Sequence, residues 1–233
     1  PLHEKLDYAG ELIDGTLGAH KCAVACSFGK DSMLMLYLVR KVQRDIDVVW
    51  INTGVELPET VQFAHQIEKE WGLKLTEARP TTTFWQIVKK YGYPELRYRR
   101  RVPACCEHLK EKPAKKAYAN LGIECAFVGI SYDESYMRRW SVAWWGDYYY
   151  AKKRKMWRCL PLAYFSEAEV WELTRRFNIP INPAYAKYTL TRTGCMPCTG
   201  HSRWEEDMQK VSPKTYRLVQ KARGQGLITE YDP

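Results

Sequence analysis

The chain has 233 residues and a formal net charge of +9, with 45% hydrophobic and 27% charged residues. This size and composition is typical of a globular protein with one sizeable α/β core. No apolar run approaches the roughly 18 residues that span a bilayer, and acidic residues at positions 4, 7, 11 and 14 argue against a signal peptide. We therefore expect a cytoplasmic protein with no membrane partner, whose basic excess favours anionic partners.

The predicted elements alternate between strands and helices. In chain order they are a leading helix at 2–18, strands at 21–26, 47–52, 73–77, 124–130 and 157–162, and helices at 33–42 and 60–71. This order predicts an α/β fold with a mostly parallel, doubly wound sheet. The loops at 27–32, 53–59 and 131–139 should face one crevice at the carboxyl ends of the strands.

After residue 165 the pattern becomes helical. Ser166-Glu-Ala-Glu169 is a capping-box sequence, a Cys-x-x-Cys turn follows at 195–198, and a last helix is predicted from 213 to 222. We expect a leading helix at 1–20, an α/β domain at 21–165, and a helical C-terminal extension at 166–233.

The loop after the first strand, Ser27-Phe-Gly-Lys-Asp-Ser32, has the properties of an anion site. Gly29 permits a tight turn, the following helix offers free N–H groups, and Lys30 adds a cation. The hydroxyls of Ser27 and Ser32 can donate to phosphate oxygens. A Gly-Lys pair alone is more often a plain strand–helix turn, and the spacing is too short for a Walker A loop.

These six residues resemble the Ser-Gly-Gly-Lys-Asp-Ser PP-loop of ATP pyrophosphatases. That group includes the phosphoadenosine-phosphosulfate (PAPS) reductase family, sulfate adenylyltransferase small subunits and tRNA thiolases. Phe28 departs from the motif in a way that is similar to PAPS-reductase-like members. Two further stretches resemble the family in order: Asn52-Thr-Gly54 with Glu56 and Pro58-Glu-Thr60, and Gly129-Ile-Ser-Tyr-Asp-Glu-Ser135 with Arg138 and Arg139.

The resemblance covers residues 24 to about 200 and implies a fold like the adenine-nucleotide alpha-hydrolases. It also implies roles for individual residues, although Ser131 stands where the family usually has Arg. The implied nucleotide-binding residues are Ser27, Phe28, Gly29, Lys30, Asp31, Ser32, Asn52, Thr53, Gly54, Glu56, Gly129 and Ser131. The implied catalytic residues are Lys30, Asp31, Glu134, Arg138 and Arg139. Asp31 or Glu134 is expected to bind Mg²⁺ together with ATP.

Four of the eight cysteines form two tight pairs, Cys105-Cys106 and Cys195-x-x-Cys198, which are separated by 88 intervening residues. Four thiolates suit either zinc or an iron–sulfur cluster. The alternative is a thioredoxin-like pair at 195–198 with buried thiols elsewhere. The arrangement resembles the 4Fe–4S site of adenylyl-sulfate reductases and iron–sulfur PAPS reductases, which implies a 4Fe–4S cluster on these four residues. Cys22, Cys26, Cys125 and Cys159 are predicted to pack in or beside strands.

Two basic runs accompany these motifs. Arg97, Arg99, Arg100 and Arg101 precede the first cysteine pair, and Lys110, Lys112, Lys115 and Lys116 follow it. Near a cluster they are expected to bind sulfate or phosphate groups of a substrate. The second run, at 152–155, follows an aromatic stretch at 140–150. Interleaved cations and aromatics suit single-stranded nucleic acid, but they suit a solvated face over a packed lid equally well.

Three functions remain open at this point. The intact Lys30-Asp31-Ser32 favours cleavage of ATP to AMP and pyrophosphate, which would activate a substrate such as nucleic acid for sulfur transfer. In this respect the chain resembles the PAPS-reductase-like proteins of DNA phosphorothioation. The second function is PAPS or adenylyl-sulfate reduction, whose family nucleophile is a C-terminal cysteine, and no cysteine follows Cys198 here. The third is a non-catalytic nucleotide-binding cluster protein.

The partners implied by the resemblance are an adenine nucleotide (ATP, PAPS or adenylyl sulfate) and a sulfur-donor protein. A homodimer is left open.

Overall fold

The computed structural model describes residues 1–93, 104–199 and 203–224. A six-stranded sheet has the order β3-β2-β1-β4-β6-β5. Its strands are β1 (Cys22–Ala25), β2 (Asp47–Ile51), β3 (Lys74–Ala78), β4 (Cys125–Val128), β5 (Tyr148–Ala151) and β6 (Met156–Cys159).

The helices alternate with these strands along the chain. They are α1 (Leu2–Ala19), α2 (Lys30–Val42), α3 (Pro58–Trp71), α4 (Phe84–Tyr91), α5 (Ala104–Cys106), α6 (Lys112–Leu121), α7 (Tyr136–Trp145), α8 (Glu167–Arg176), α9 (Ala184–Tyr188), α10 (Trp204–Val211) and α11 (Pro213–Gly224). A π-helical segment, Glu107–Glu111, joins α5 to α6. None of the described helices combines the length and apolar character needed to cross a membrane.

Strand pairing confirms the predicted α/β class. β1 pairs in parallel with β2 and with β4, and β4 pairs in parallel with β6. β5 is antiparallel to β6, with Tyr149 opposite Arg158. β5 was not predicted, because its residues do not alternate between an apolar and a polar face. α7 was not predicted, because most of its apolar residues are exposed and form no buried helical stripe.

The chain groups into two compact units. The first comprises Pro1–Trp50, Phe63–Thr76 and Lys116–Asn182. Its strands β1 and β4 are short apolar runs that are mostly buried, as expected for parallel strands with helices on both faces. Ile130, Val142, Leu160 and Ala163 form a smaller apolar cluster that holds α7 in this unit.

The second unit comprises Ile51–Gln62, Glu77–Lys115 and Pro183–Pro233, as far as it is described. Its core contains Phe84, Tyr93, Leu109, Trp204 and Met208, with Cys105 and Met196 packed against it. The cysteine segments therefore rest on an apolar core of their own.

Each unit contains a helix that begins with a complete capping box. Ser166 caps α8 together with Glu169, as the sequence predicted. Thr83 caps α4 together with Gln86 in the second unit.

Candidate functional site

The loop Ser27–Ser32, here called the PP-loop, is fixed by a serine at the start of α2. The Ser32 hydroxyl donates to the Gly29 carbonyl oxygen at 3.0 Å and accepts from the Ser27 amide at 3.2 Å. Gly29 is the N-cap of α2 and provides no side-chain cap for the first helical N–H groups. An uncapped helix start of this kind suits an anion such as phosphate.

Phe28 holds the PP-loop to the core. Its φ of 57° lies in the left-handed region, which is costly for an aromatic residue. Its side chain is fully buried, and its ring meets the edge of Trp50 at 5.5 Å between centroids. Asn182 donates to the Phe28 carbonyl oxygen at 3.3 Å. Packing of the ring offsets the backbone strain and explains how an aromatic residue occupies a position where the motif has glycine.

Lys30 is the buried cation of the PP-loop. Its ammonium nitrogen lies 2.8 Å from Asp31 Oδ2 and 3.5 Å from Glu167 Oε1, and its side chain is 6% exposed. Burial of a lysine is tolerated only beside opposite charge. The first turn of α2 thus presents a cation that two carboxylates neutralise.

The segment after β4 lies against the PP-loop. A Cβ added to Gly129 would be 3.0 Å from the carbonyl carbon and oxygen of Asp31 and from Ser32 Cα, so any other residue would require this backbone to shift. Ser131 is buried, and its amide donates to Glu134 Oε2 at 3.4 Å. Burial, followed by the nearby charge of Asp31, raises the pKa of Glu134. Asp31 and Glu134 are therefore close enough to interact.

Two arginines pair with this acidic segment. Arg138 Nε lies 3.8 Å from Glu134 Oε2, and Arg139 lies 3.9 Å from Asp133 with a side chain that is 63% exposed. Asp133 also accepts from the Glu167 amide at 3.0 Å. The first unit therefore brings together the predicted residues of 27–32 and 129–139.

The predicted residues at 52–56 belong to the second unit and contact one cysteine there. Thr53 is buried, and its hydroxyl lies 2.8 Å from Glu56 Oε1 and 3.4 Å from Cys195 Sγ. Gly54 has a φ of 77°, and its amide donates to Asn52 Oδ1 at 3.0 Å. This turn supports the Cys-x-x-Cys segment, a role that the sequence did not predict.

Cys105, Cys106, Cys195 and Cys198, here called the cysteine centre, approach one another in the second unit. Cys198 donates its amide to the Cys195 carbonyl at 3.1 Å, which forms the predicted turn. A hydrogen bond with Cys106, together with burial and the proximity of Cys198, raises the pKa of Cys105. Burial and Glu56 raise the pKa of Cys195 to about 11.

Lys110 is the cation of the cysteine centre. Burial works to lower its pKa, but the neighbouring Cys195, Glu56, Cys106 and Cys198 outweigh it, and the pKa is raised. The sequence placed Lys110 within a basic run and gave no sign that it would face the thiols. Arg97, Arg99, Arg100 and Arg101 lie outside the described residues.

No three Cys, His, Asp or Glu side chains within residues 1–93, 104–199 and 203–224 are arranged to hold a metal ion as they stand. The donor set of the cysteine centre nevertheless fits a cluster, since Cys106, Cys195 and Cys198 lie near the Lys110 ammonium, which would balance thiolate charge. Near the PP-loop, Asp31 and Glu134 supply two carboxylates. Mg²⁺ usually takes one or two carboxylates together with substrate phosphates.

The other four cysteines are all buried. Cys22, Cys125 and Cys159 lie in strands, and Cys26 directly follows β1. Burial raises the pKa of Cys26 to about 11 and that of Cys159 to about 12. Buried thiols with raised pKa values are poor nucleophiles.

Comparison with known proteins is consistent with these features. An uncharacterized protein of Methanocaldococcus jannaschii is 34% identical over 89% of this chain, which spans only 41% of that relative's length. Adenosine 5'-phosphosulfate reductase 1 of Bacillus subtilis is 25% identical over 79% of this chain and 76% of its own.

Solved structures share the fold. A Candida auris PAPS reductase, solved with phosphate, aligns over 76% of this chain and 83% of its own with a TM-score of 0.60 and 17% identity. The U34-tRNA thiolase NcsA of Methanococcus maripaludis, solved with its [4Fe-4S] cluster, aligns over 96% of this chain and 78% of its own with a TM-score of 0.53 and 16% identity. The sequence model of the phosphoadenosine phosphosulfate reductase domain family matches residues 21–201, and the chain therefore belongs to that family.

Proposed function

We propose that this protein is an ATP pyrophosphatase that activates an acceptor for sulfur transfer and carries a 4Fe–4S cluster. The observation that carries the proposal is the intact PP-loop, in which buried Lys30 lies 2.8 Å from Asp31 on a loop fixed by Ser32. A preorganised cation at an uncapped helix start stabilises charge that develops on a leaving pyrophosphate.

The reaction is a substitution at the α-phosphorus of ATP. An acceptor oxygen forms a bond to that phosphorus, the bond to the β-phosphate bridging oxygen breaks, and pyrophosphate leaves. The acceptor's proton passes to solvent or to a nearby base. With water as acceptor, the products are AMP and pyrophosphate. Lys30, Arg138 and Arg139 are the cations that we assign to the phosphates, and in-line geometry is the main requirement.

Mg²⁺ is assigned to Asp31 and Glu134, which lie close enough for the charge of one to raise the pKa of the other. When bound with ATP, the ion neutralises phosphate charge. The two side chains would hold the ion beside the PP-loop, and Arg138 at 3.8 Å from Glu134 limits the movement of that carboxylate.

The cluster is assigned to the cysteine centre. The observations that support it are the proximity of the four thiols to one another and of Lys110 to three of them. When bound, a 4Fe–4S cluster supplies electron transfer or a Lewis-acidic iron. Thr53 and Glu56 orient Cys195 through contacts of 3.4 Å and 3.8 Å. The thiolase named above, which carries a [4Fe-4S] cluster, supports this assignment by fold alone.

Sulfonucleotide reduction is the second candidate, because several curated relatives are adenosine 5'-phosphosulfate reductases at about one quarter identity. A reductase of this family needs an accessible thiolate that attacks sulfur. Outside the cysteine centre, every cysteine of the described residues is buried. This burial favours the ATP reaction over the reductive one.

The test is a product assay on anaerobically purified protein, incubated in parallel with ATP, PAPS and adenylyl sulfate, each with and without thioredoxin. We expect AMP and pyrophosphate from ATP and no sulfite from either sulfonucleotide. Thioredoxin-dependent sulfite would replace the proposal with the reductase function. Tight nucleotide binding without turnover of any of the three would favour the non-catalytic cluster protein.

A further inference from the structure

The helix α7 exposes a face of large apolar side chains. Tyr136 is 77% exposed, Met137 68%, Trp140 52%, Trp144 67% and Trp145 55%. Only Val142 of this helix is buried, and it attaches α7 to the first unit. Exposed aromatic patches of this extent mark interaction sites more often than chance exposure.

The aromatic rings of this face are arranged for stacking. Trp140 and Trp144 are parallel to within 7°, with centroids 5.4 Å apart. Trp145 stacks on Tyr149 of β5 at 6.0 Å between centroids. A flat ring pair with an open outer side offers the kind of platform on which an unpaired base stacks.

The adjoining hairpin β5–β6 supplies positive charge on the same surface. Arg158 donates to the Tyr149 hydroxyl at 2.9 Å, and its guanidinium lies 5.8 Å from the centre of that ring. Burial, then the proximity of Arg154 and Arg138 among other groups, lowers the pKa of Arg158. Arg138, Arg154 and Arg158 are therefore near one another, and they place positive charge on α7, on the turn and on β6.

Charge over this segment is strongly one-sided. Residues 136–158 contain eight aromatic residues and seven Lys or Arg, against the single acid Asp147. Asp147 already accepts a hydrogen bond from the Tyr8 hydroxyl at 2.7 Å. Lys152, Lys153 and Lys155 are exposed in the turn. Stacking faces interleaved with cations complement a polymer that alternates bases and phosphates.

We infer that α7 and the β5–β6 hairpin bind single-stranded nucleic acid. Duplex is a poorer ligand, because its bases are already stacked and only its phosphates are available. The surface begins where the nucleotide site ends, since Arg138 of α7 pairs with Glu134. Single-stranded nucleic acid bound there is therefore the class of acceptor that attacks the α-phosphorus of ATP. Only this assignment of the acceptor rests on the proposed function.

The experiment measures fluorescence anisotropy of labelled single-stranded DNA and RNA, and of duplexes, without ATP and over a range of salt concentrations. We expect salt-dependent binding that prefers single strands. The double variant Trp140→Ala, Trp144→Ala should weaken binding by at least about tenfold, since base stacking contributes this much or more. Trp85→Ala is the matched control, because Trp85 is an exposed aromatic residue of α4 in the second unit.

The cation side is tested in the same way. Lys152→Ala with Lys153→Ala should weaken binding and flatten the salt dependence, whereas Lys69→Ala with Lys74→Ala, also exposed lysines, should not. Wild-type protein that binds no single strand, or binds it equally after loss of Trp140 and Trp144, would overturn the inference. Binding of anionic lipid vesicles or of a protein in place of oligonucleotide would overturn it too.

Lys30→Ala separates this inference from the proposed function. Retained oligonucleotide binding in that variant, together with lost ATP cleavage, supports both claims. Strand binding by wild-type protein that cleaves no ATP would leave the surface standing and remove the ATP pyrophosphatase proposal.

Discussion

The PP-loop and the cysteine centre are built in opposite ways. The PP-loop is shaped by backbone: a left-handed Phe28, a helix that starts at Lys30, and a glycine at 129 whose missing side chain leaves room for the backbone of Asp31 and Ser32. The cysteine centre is shaped by side chains from three chain segments, with Lys110 and Glu56 among the thiols. A backbone site tolerates few changes of shape, whereas a side-chain site depends on each donor.

The largest effect is expected at the cysteine centre. Wild-type protein purified anaerobically should hold about four iron and four sulfide per chain, and Cys105→Ser or Cys198→Ser should lose most of both. Cys22→Ala is the control, because Cys22 is a buried strand thiol outside the centre. Metal and sulfide analysis gives the answer, and stoichiometric zinc without sulfide would eliminate the cluster.

Next in size is removal of the PP-loop cation. Lys30→Ala should lower adenine-nucleotide affinity or turnover by at least about tenfold, the equivalent of roughly 1.4 kcal/mol for a lost charged contact. Lys41→Ala on the same helix is the control, since Lys41 is exposed. Isothermal titration with ATP measures the difference, and unchanged affinity in Lys30→Ala would locate the nucleotide elsewhere.

The shape of the PP-loop is tested by adding one methyl group at position 129. Gly129→Ala should destabilise the protein by about 1–3 kcal/mol, because its Cβ would overlap the backbone of Asp31 and Ser32. Gly15→Ala in α1 meets no atom within 4 Å and should stabilise by up to about 1 kcal/mol through helix propensity. Chemical denaturation of both variants measures the contrast. Equal effects would show that the close approach at Gly129 is unimportant.

The smallest losses of stability are expected for the two helix caps, one in each unit. Ser166→Ala and Thr83→Ala each remove one capping box, and each should cost about 0.5–2 kcal/mol. Thermal unfolding checks the size. A stability loss far above this range in only one variant would mean that the capping residue has a role in the fold beyond its helix cap.

The sequence predicted most of the framework but only part of the site. Five strands and the capping box at Ser166 followed from apolar runs and turn residues, which act locally. The edge strand β5 was missed, because Tyr148-Tyr-Tyr-Ala151 has no alternation and its faces are decided by packing. The PP-loop motif is contiguous and therefore readable.

Other features of the site depend on three-dimensional proximity. Lys110 sits in a run of exposed lysines, and nothing in that run distinguishes the one that meets the thiols. Thr53 and Glu56 were predicted to bind nucleotide, yet their contacts with Cys195 join positions that are more than 130 residues apart. No local sequence pattern predicts such a contact.

The ATP pyrophosphatase proposal is tested most directly by determining which phosphate bond of ATP breaks. Anaerobic wild-type protein is incubated with ATP labelled at either the α- or the γ-phosphate, with Lys30→Ala in parallel. We expect labelled AMP from the first substrate, labelled pyrophosphate from the second, and little of either from the variant. Release of labelled inorganic phosphate from the γ-position, with ADP as the other product, would contradict it.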